Sequence, residues 1–346
     1  MTTIEPVTRF PDLSAQAFAH PADRAAMAAL HSIPMLDALV KKLTEFGYEK
    51  HFRQLFLGRA VRLGDDQLPR VWALHRQSAY VLDVEPVPHL YITQQPVGNA
   101  MTFGTNDPVI MVNSGLVAYG DDEMRAVLAH EMGHVLADHV GLLTTMGILG
   151  SILRGMLRGQ PLVALPVRAA YYALLEWSRM AELTSDRASA IATGDPMTVC
   201  RSLMRMAAGP VEGLNLDAFI RQSTEYHEER DPLARFRRFS SEITATHPFP
   251  VRRVRELVDW VASGNYDRIR SGDYVRRGAE PPVNEEFNTA VNHYRQRWSS
   301  VLERAGSGVQ EVFSRVSGWL GGSPGGENGG DGGPTDPGGF EDAEEV

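Results

Sequence analysis

Apolar and polar positions along the chain change period more than once. Residues 34–47 (PMLDALVKKLTEFG) open on proline and close on glycine, which predicts a helix. In 65–83, Asp65 and Asp66 precede LPRVWALHRQSAYVL, where Val71, Leu74, Ala79 and Leu82 form a broken apolar stripe and predict a second helix. The period then shortens. HLYIT (89–93), NAMTF (99–103) and VIMV (109–112) are β-rich runs separated by turn residues, among them Pro96, Gly98 and Asn106-Asp107-Pro108. They predict a small antiparallel sheet. Helical spacing resumes at Asp121, a predicted N-cap, and continues to about His139. From there to about 305 the chain reads as mostly helical. Its breaks fall at Gly194-Asp195-Pro196, Gly209-Pro210, Asp231-Pro232 and His247-Pro248. The fold class expected is α+β, mainly α.

The ends differ from this body. Residues 1–33 contain Pro6, Pro11 and Pro21 and read as an N-terminal arm with at most a short helix. The body spans 34–305. In 306–320, Val309, Val312, Phe313, Val316 and Leu320 share one face of an amphipathic helix, detached by Gly306 and Gly308. Residues 321–346 hold ten glycines, too little apolar surface to offset the entropy of ordering, and read as a disordered tail.

Charge changes the picture only at that tail. The net charge is −9, but 321–346 carry seven acidic residues and no Lys or Arg, leaving −2 on the rest. A near-neutral body, with its arginines scattered, offers no electrostatic case for nucleic-acid binding. One cysteine, Cys200, excludes a disulfide framework and a multi-cysteine zinc site. The first 30 residues show no apolar core of signal-peptide length. No stretch reaches the roughly 18–20 apolar residues of a membrane span. A cytoplasmic location is the expectation, with association to a membrane left open.

The helix from Asp121 carries AHEMGHVLADH (129–139). Positions i and i+4 of a helix lie on one side, one turn apart, so His130 and His134 can share one ion. Neutral imidazole suits zinc. Glu131 is turned about 100° away from His130, where it can reach a metal-bound water as general base. Chance alone would produce H-E-x-x-H about 0.02 times in a chain of this composition, so the motif is suggestive and needs a third ligand. The three-histidine extension requires Gly at 137 and His at 140, where the chain has Ala137 and Val140. His139 is nine residues past His130, which a continuous helix would turn to the opposite side, giving it a structural or surface role. A later segment, EWSRMAELTSDRASAIA (176–192), offers Glu182 as third ligand. Asp186, one turn on, can accept a hydrogen bond from the other ring nitrogen of a ligand histidine. Glu176 is a competing ligand, and the pair with Arg179 and Arg187 nearby also reads as an ordinary charged helix surface.

The order of these parts resembles the HtpX and CAAX prenyl protease family of gluzincin metallopeptidases. The resemblance rests on four motifs in sequence. They are His130-Glu131-Met132-Gly133-His134, Ser178-Arg179-x-x-Glu182-x-x-Ser185-Asp186, Thr246-His247-Pro248 with Arg253, and Asn99-Ala100 ahead of a strand ending Ser114-Gly115-Leu116. It covers about residues 34–260, with Ser185 where the family usually has alanine. It implies a zincin-like domain in which His130, His134 and Glu182 bind one zinc ion per chain. It also implies that Glu131 activates water and Asp186 orients a histidine. By the same resemblance Asn99 and Ala100 lie on an edge strand that pairs with an extended peptide, and His247 and Arg253 lie near the substrate. His247 there is either an oxyanion donor or a turn cap.

Members of that family carry spanning helices. Here the interval between the metal motifs opens with only 14 apolar residues (VGLLTTMGILGSIL, 140–153), which predicts a buried helical hairpin, with a helix in a membrane interface as the alternative. The function expected is a zinc-dependent endopeptidase acting on extended or unfolded protein segments. The alternative is a zinc-containing interaction module with weak turnover, docking through 309–320 and the tail. Peripheral membrane contact through 140–176 or 309–320 stays open, as does the oligomeric state.

Overall fold

β-Branched and aromatic residues set the sheet. The structure, a computed structural model, describes residues 8–33, 54, 57–104, 106–154, 161–209, 211–228, 249–282 and 284–305. The helix expected at 34–47, the helix 309–320, the glycine-rich tail and His247 lie outside the described residues. The strands are β1 (Val61–Arg62), β2 (His89–Thr93), β3 (Ala100–Phe103) and β4 (Val109–Asn113), in the order β1-β2-β4-β3. The sheet is mixed, which corrects the antiparallel expectation. β3 and β4 form an antiparallel pair, but β4 inserts beside β2 in parallel, with His89 opposite Val109 and Thr93 opposite Asn113. The reason lies in burial: Leu90, Ile110 and Val112 are fully enclosed, and the central places shelter both faces of β2 and β4. β3 is left at the edge.

Helices both precede and follow this sheet in the chain. α1 (Pro21–His31) and α2 (Pro69–Leu82) begin on proline, whose fixed φ and missing N–H suit the first turn. α3 (Asp121–Leu136) has Asp121, Asp122 and Glu123 in its first turn, favourable toward the helix dipole. Gly120 is its N-cap, one residue before the expected Asp121. α3 stops at Leu136 and not at His139, because Asp138 adopts a left-handed φ of 58°. α4 (Val140–Arg154) and α5 (Pro161–Thr193) then pack against each other as the expected hairpin. α6 (Pro196–Ala208), α7 (Leu216–Glu228), α8 (Pro250–Ala262), α9 (Asn265–Arg270) and α10 (Glu285–Ala305) complete the described chain. No helix among the described residues is long and apolar enough to cross a membrane.

α5 runs through two apolar cores. Ala188 and Ile191, near its C-terminal end, pack with Leu90, Ile110, Leu128, Met132 and Val254. Leu174 and Trp177, further back, pack with Leu30, Leu142, Leu149 and Trp298. Residues 182–187 sit between the two. Here α3 crosses α5 closely: a Cβ on Gly133 would fall 2.8 Å from Ala188 Cβ and 3.0 Å from Ser185 Cα. Only glycine fits.

Residues 8–33, expected as an arm, belong to the body. Phe10, Leu13 and Phe18 are buried in the first core, and Ala26, Ala29 and Leu30 of α1 in the second. Asp83, in a left-handed conformation after α2, ties this segment down. Its carboxylate accepts from Arg9 Nε at 3.0 Å and the Asp12 amide at 2.7 Å and pairs with Arg277, while its carbonyl accepts from Arg277 Nη1 at 3.0 Å. Burial alone would raise the Asp83 pKa; the Asp12 amide and the two arginines hold it below the usual carboxylate range.

Two measurements follow from this packing. Gly133→Ala gains roughly 1 kcal/mol of helix propensity but meets a backbone Cα that cannot rotate away, at a cost of about 1–3 kcal/mol. A net fall in the urea midpoint is expected, partly recovered by Ala188→Gly in the same chain. Asp83→Asn keeps the left-handed turn but loses about 1–2 kcal/mol, a value reduced for the partial exposure of both arginines. A carboxylate with a depressed folded pKa contributes above its unfolded value of about 4 and loses that contribution as pH falls through the folded one. The gap between wild type and Asp83→Asn in urea titrations should therefore hold from pH 7 to pH 5 and close below about pH 4.

Candidate metal centre

The crossing of α3 and α5 brings two i,i+4 pairs face to face. His130 and His134 come from α3, Glu182 and Asp186 from α5. One ligand atom from each of His130, His134 and Glu182 lies within 4.8 Å of the others, a group that can hold a metal ion. His130 Nε2 is 3.4 Å from Glu182 Oε2, and His134 Nε2 is 3.5 Å from Glu182 Oε1. These separations are long for hydrogen bonds. They match the roughly 3.3–3.6 Å between donor atoms that share one tetrahedral zinc at about 2.0–2.2 Å. Two imidazoles and one carboxylate are also the donor set that zinc accepts, so the residues fit the ion.

Behind the first pair stands Asp186. His130 Nδ1 is 3.1 Å from Asp186 Oδ1. A carboxylate only accepts, so the imidazole donates from Nδ1 and turns Nε2 toward Glu182. Arg253, on α8, is nearly fully buried and lines the same cleft as Asn99 and Ala100, with its guanidinium against these carboxylates. Its Nε and Nη2 donate to Asp186 at 2.8 and 2.6 Å, and Nη1 is 3.0 Å from Glu182 Oε2. The cause is charge: two carboxylates only 2% exposed draw the nearest guanidinium inward. Burial opposes the Arg253 charge, but Asp186 and Glu182 outweigh it and raise its pKa. Burial likewise works to raise the Asp186 pKa, and Arg253 and His130 hold it down.

The two histidines feel opposite balances. Burial lowers the His130 pKa, yet the carboxylates of Asp186 and Glu182 overcome it and carry it up to about 9. His134 is pushed down to about 4, chiefly by burial, with His130 and His139 adding to the effect. His134 is therefore neutral at ordinary pH, the form in which imidazole binds a metal.

Glu131 is buried beside this group. Its Oε2 accepts from the Thr102 hydroxyl of β3 at 2.6 Å. Thr102 was not singled out in the sequence; its place two residues past Ala100 in the run NAMTF, on the same face of the strand, was the available signal. Asn99 and Ala100 line the same open cleft as His130, Glu131 and Glu182. Ala100 begins β3, whose outer edge no described strand covers. Glu176, the competing ligand, faces elsewhere and accepts from Trp298 Nε1 at 3.2 Å.

His139 needs a correction. The left-handed turn at Asp138 ends the helix and folds His139 back, so its Nδ1 lies 3.0 Å from His134 Nδ1. It is fully buried. The opposite-side placement assumed a continuous helix; the role inside the structure is not a surface one.

Comparison with known proteins agrees with this arrangement. A profile of Peptidase family M48 matches residues 72–261. The chain is 34% identical over 271 residues to a plastoglobule-localized metallopeptidase 48, chloroplastic, of Arabidopsis thaliana, covering 76% of this chain and 78% of that one. It is 29% identical over 177 residues to protease HtpX homolog 1 of Streptomyces coelicolor, covering 44% of this chain and 58% of the relative. A protease HtpX homolog of Tropheryma whipplei is 26% identical over 236 residues, 59% of this chain and 76% of the relative. No solved structure is significantly similar to the chain. With the family profile spanning more than half of its length, and with two histidines and a glutamate gathered where that profile lies, the chain belongs to the HtpX-like metallopeptidases of family M48.

Proposed function

We propose that this metallopeptidase is a zinc endopeptidase that cleaves extended or unfolded protein segments. The observation that carries the reading is the convergence of His130, His134 and Glu182 next to Glu131, by a cleft that Asn99 and Ala100 of the edge strand also line. Formal charge supports it. Among the described residues lining the cleft, three carboxylates, Glu131, Glu182 and Asp186, face one guanidinium, Arg253, and this acidic excess favours a cation.

Zinc held by His130, His134 and Glu182 would supply a Lewis acid for the scissile carbonyl and acidify a water. Glu131 takes a proton from the attacking water and passes it to the amide nitrogen as the C–N bond breaks. The Thr102 hydroxyl, donating to Oε2, holds the Glu131 carboxylate in place. Asp186 keeps the His130 ring oriented, and Arg253 keeps Asp186 ionised. A substrate strand laid along the outer edge of β3, where the main chain of Ala100 faces out and Asn99 is bonded inward to the Asn113 amide, gains main-chain hydrogen bonds, which favours extended segments with little regard to sequence. That requirement is what restricts the enzyme to unfolded or flexible substrates.

The test is metal analysis joined to cleavage of a denatured-protein library. Wild type should hold one zinc per chain and lose cleavage on chelation. Glu131→Gln should retain zinc yet cleave at least about 100-fold more slowly, as expected for loss of a general base. Undiminished cleavage by that variant would sink the Glu131 mechanism. Cleavage of folded and unfolded substrates at equal rates would sink the substrate class.

A further inference from the structure

We infer that Asp23 and His139 form a buried relay that sets the tautomer of His134, making both of them positioning residues for the metal centre. The inference rests on His134 being a zinc ligand through Nε2, as proposed above. Its evidence is a chain of close polar contacts running from Asp23 to His134. Asp23, in the first turn of α1, is 1% exposed. Its Oδ1 accepts from Trp177 Nε1 at 2.9 Å. Its Oδ2 accepts from the Thr184 hydroxyl at 2.6 Å and faces His139 Nε2 at 3.0 Å. His139 Nδ1 in turn faces His134 Nδ1 at 3.0 Å.

With His139 neutral, the donors and acceptors allow one assignment. A carboxylate only accepts, so His139 carries its proton on Nε2 and donates to Asp23. Neutral His139 then has a bare Nδ1, which accepts from His134 Nδ1–H. His134 is left with a bare Nε2, turned toward Glu182 and ready for a cation. The reverse pattern, with His139 donating from Nδ1, would place the proton on His134 Nε2 and block ligation. Each ligand histidine is thus backed by a carboxylate. Asp186 acts on His130 directly, and Asp23 acts on His134 through His139.

Asp23→Asn tests the direction of the chain while nearly preserving shape. The Trp177 indole can only donate, so the amide oxygen of Asn must face it. The amide NH2 then meets His139 Nε2. In the zinc-loaded protein two donors would face each other, in a site too buried for water to relieve. The expected result is zinc binding weakened by about 10- to 100-fold in a chelator competition, the usual effect of altering a ligand's hydrogen-bond partner. Adding Trp177→Phe frees the amide to flip. The double variant should therefore bind zinc more tightly than Asp23→Asn alone, although it packs less well. A merely structural Asp23 predicts the opposite order. In the zinc-loaded wild type, imidazole nitrogen NMR should show His139 neutral, protonated on Nε2 and bare on Nδ1.

Zinc affinity of Asp23→Asn equal to wild type would overturn the relay, as would a double variant weaker than the single one or a His139 protonated on Nδ1. Failure of the wild type to bind zinc at all would instead overturn the metal centre, and the relay with it.

Discussion

The close crossing of α3 over α5 is the constraint on which the site depends. Each helix contributes a pair four residues apart, and neither pair is a site alone. Gly133 lets the backbones approach until Ser185 and Ala188 touch it. Only at that separation do the imidazoles of His130 and His134 reach Glu182. α5 cannot drift to relieve the contact, because its two ends are buried in different cores. The ligand geometry is therefore held by apolar packing on both sides, and the donor atoms do not have to supply it.

Charge then fixes what packing has placed. Burying Glu182 and Asp186 is costly unless each is paired, and Arg253 serves both from α8. Breaking such a buried network leaves an uncompensated charge, so the carboxylates stay where a cation would meet them. On the N-terminal side Asp23 is satisfied by Trp177, Thr184 and His139 in the same way. The segment expected to be an arm thereby reaches the back of the metal centre. Folding of residues 8–33 and order at His134 are linked through one carboxylate.

Much of this was legible in the residues. Strands 89–93, 99–103 and 109–112 were readable because alternation is local, and their observed bounds differ by a residue at most. His130, His134, Glu182 and Asp186 were readable because helical spacing places them on shared faces. The sheet order was not, since β4 chooses β2 as a partner for burial and no period of two reveals that choice. The end of α3 was hidden as well. Asp138 turns left-handed without the glycine or proline that usually announces a break, so His139 looked misdirected. The pairing of Arg253 with Asp186 and Glu182 was not legible either, because nothing in its own segment shows which carboxylates will surround it.

By itself the sequence determined the parts whose geometry is local: the strands, the histidine pair with its glutamate, and the carboxylate pair four residues apart. Helical and strand periods are backbone properties, and they operate over a few residues. Tertiary structure alone decided how those parts meet. Asp23 lies 116 residues from His139 and Arg253 lies 67 from Asp186, yet each contact is a direct hydrogen bond. Such pairings follow from which surfaces bury together and which buried charges need partners. No spacing in the chain encodes that, so the support of the two histidines became visible only in the fold.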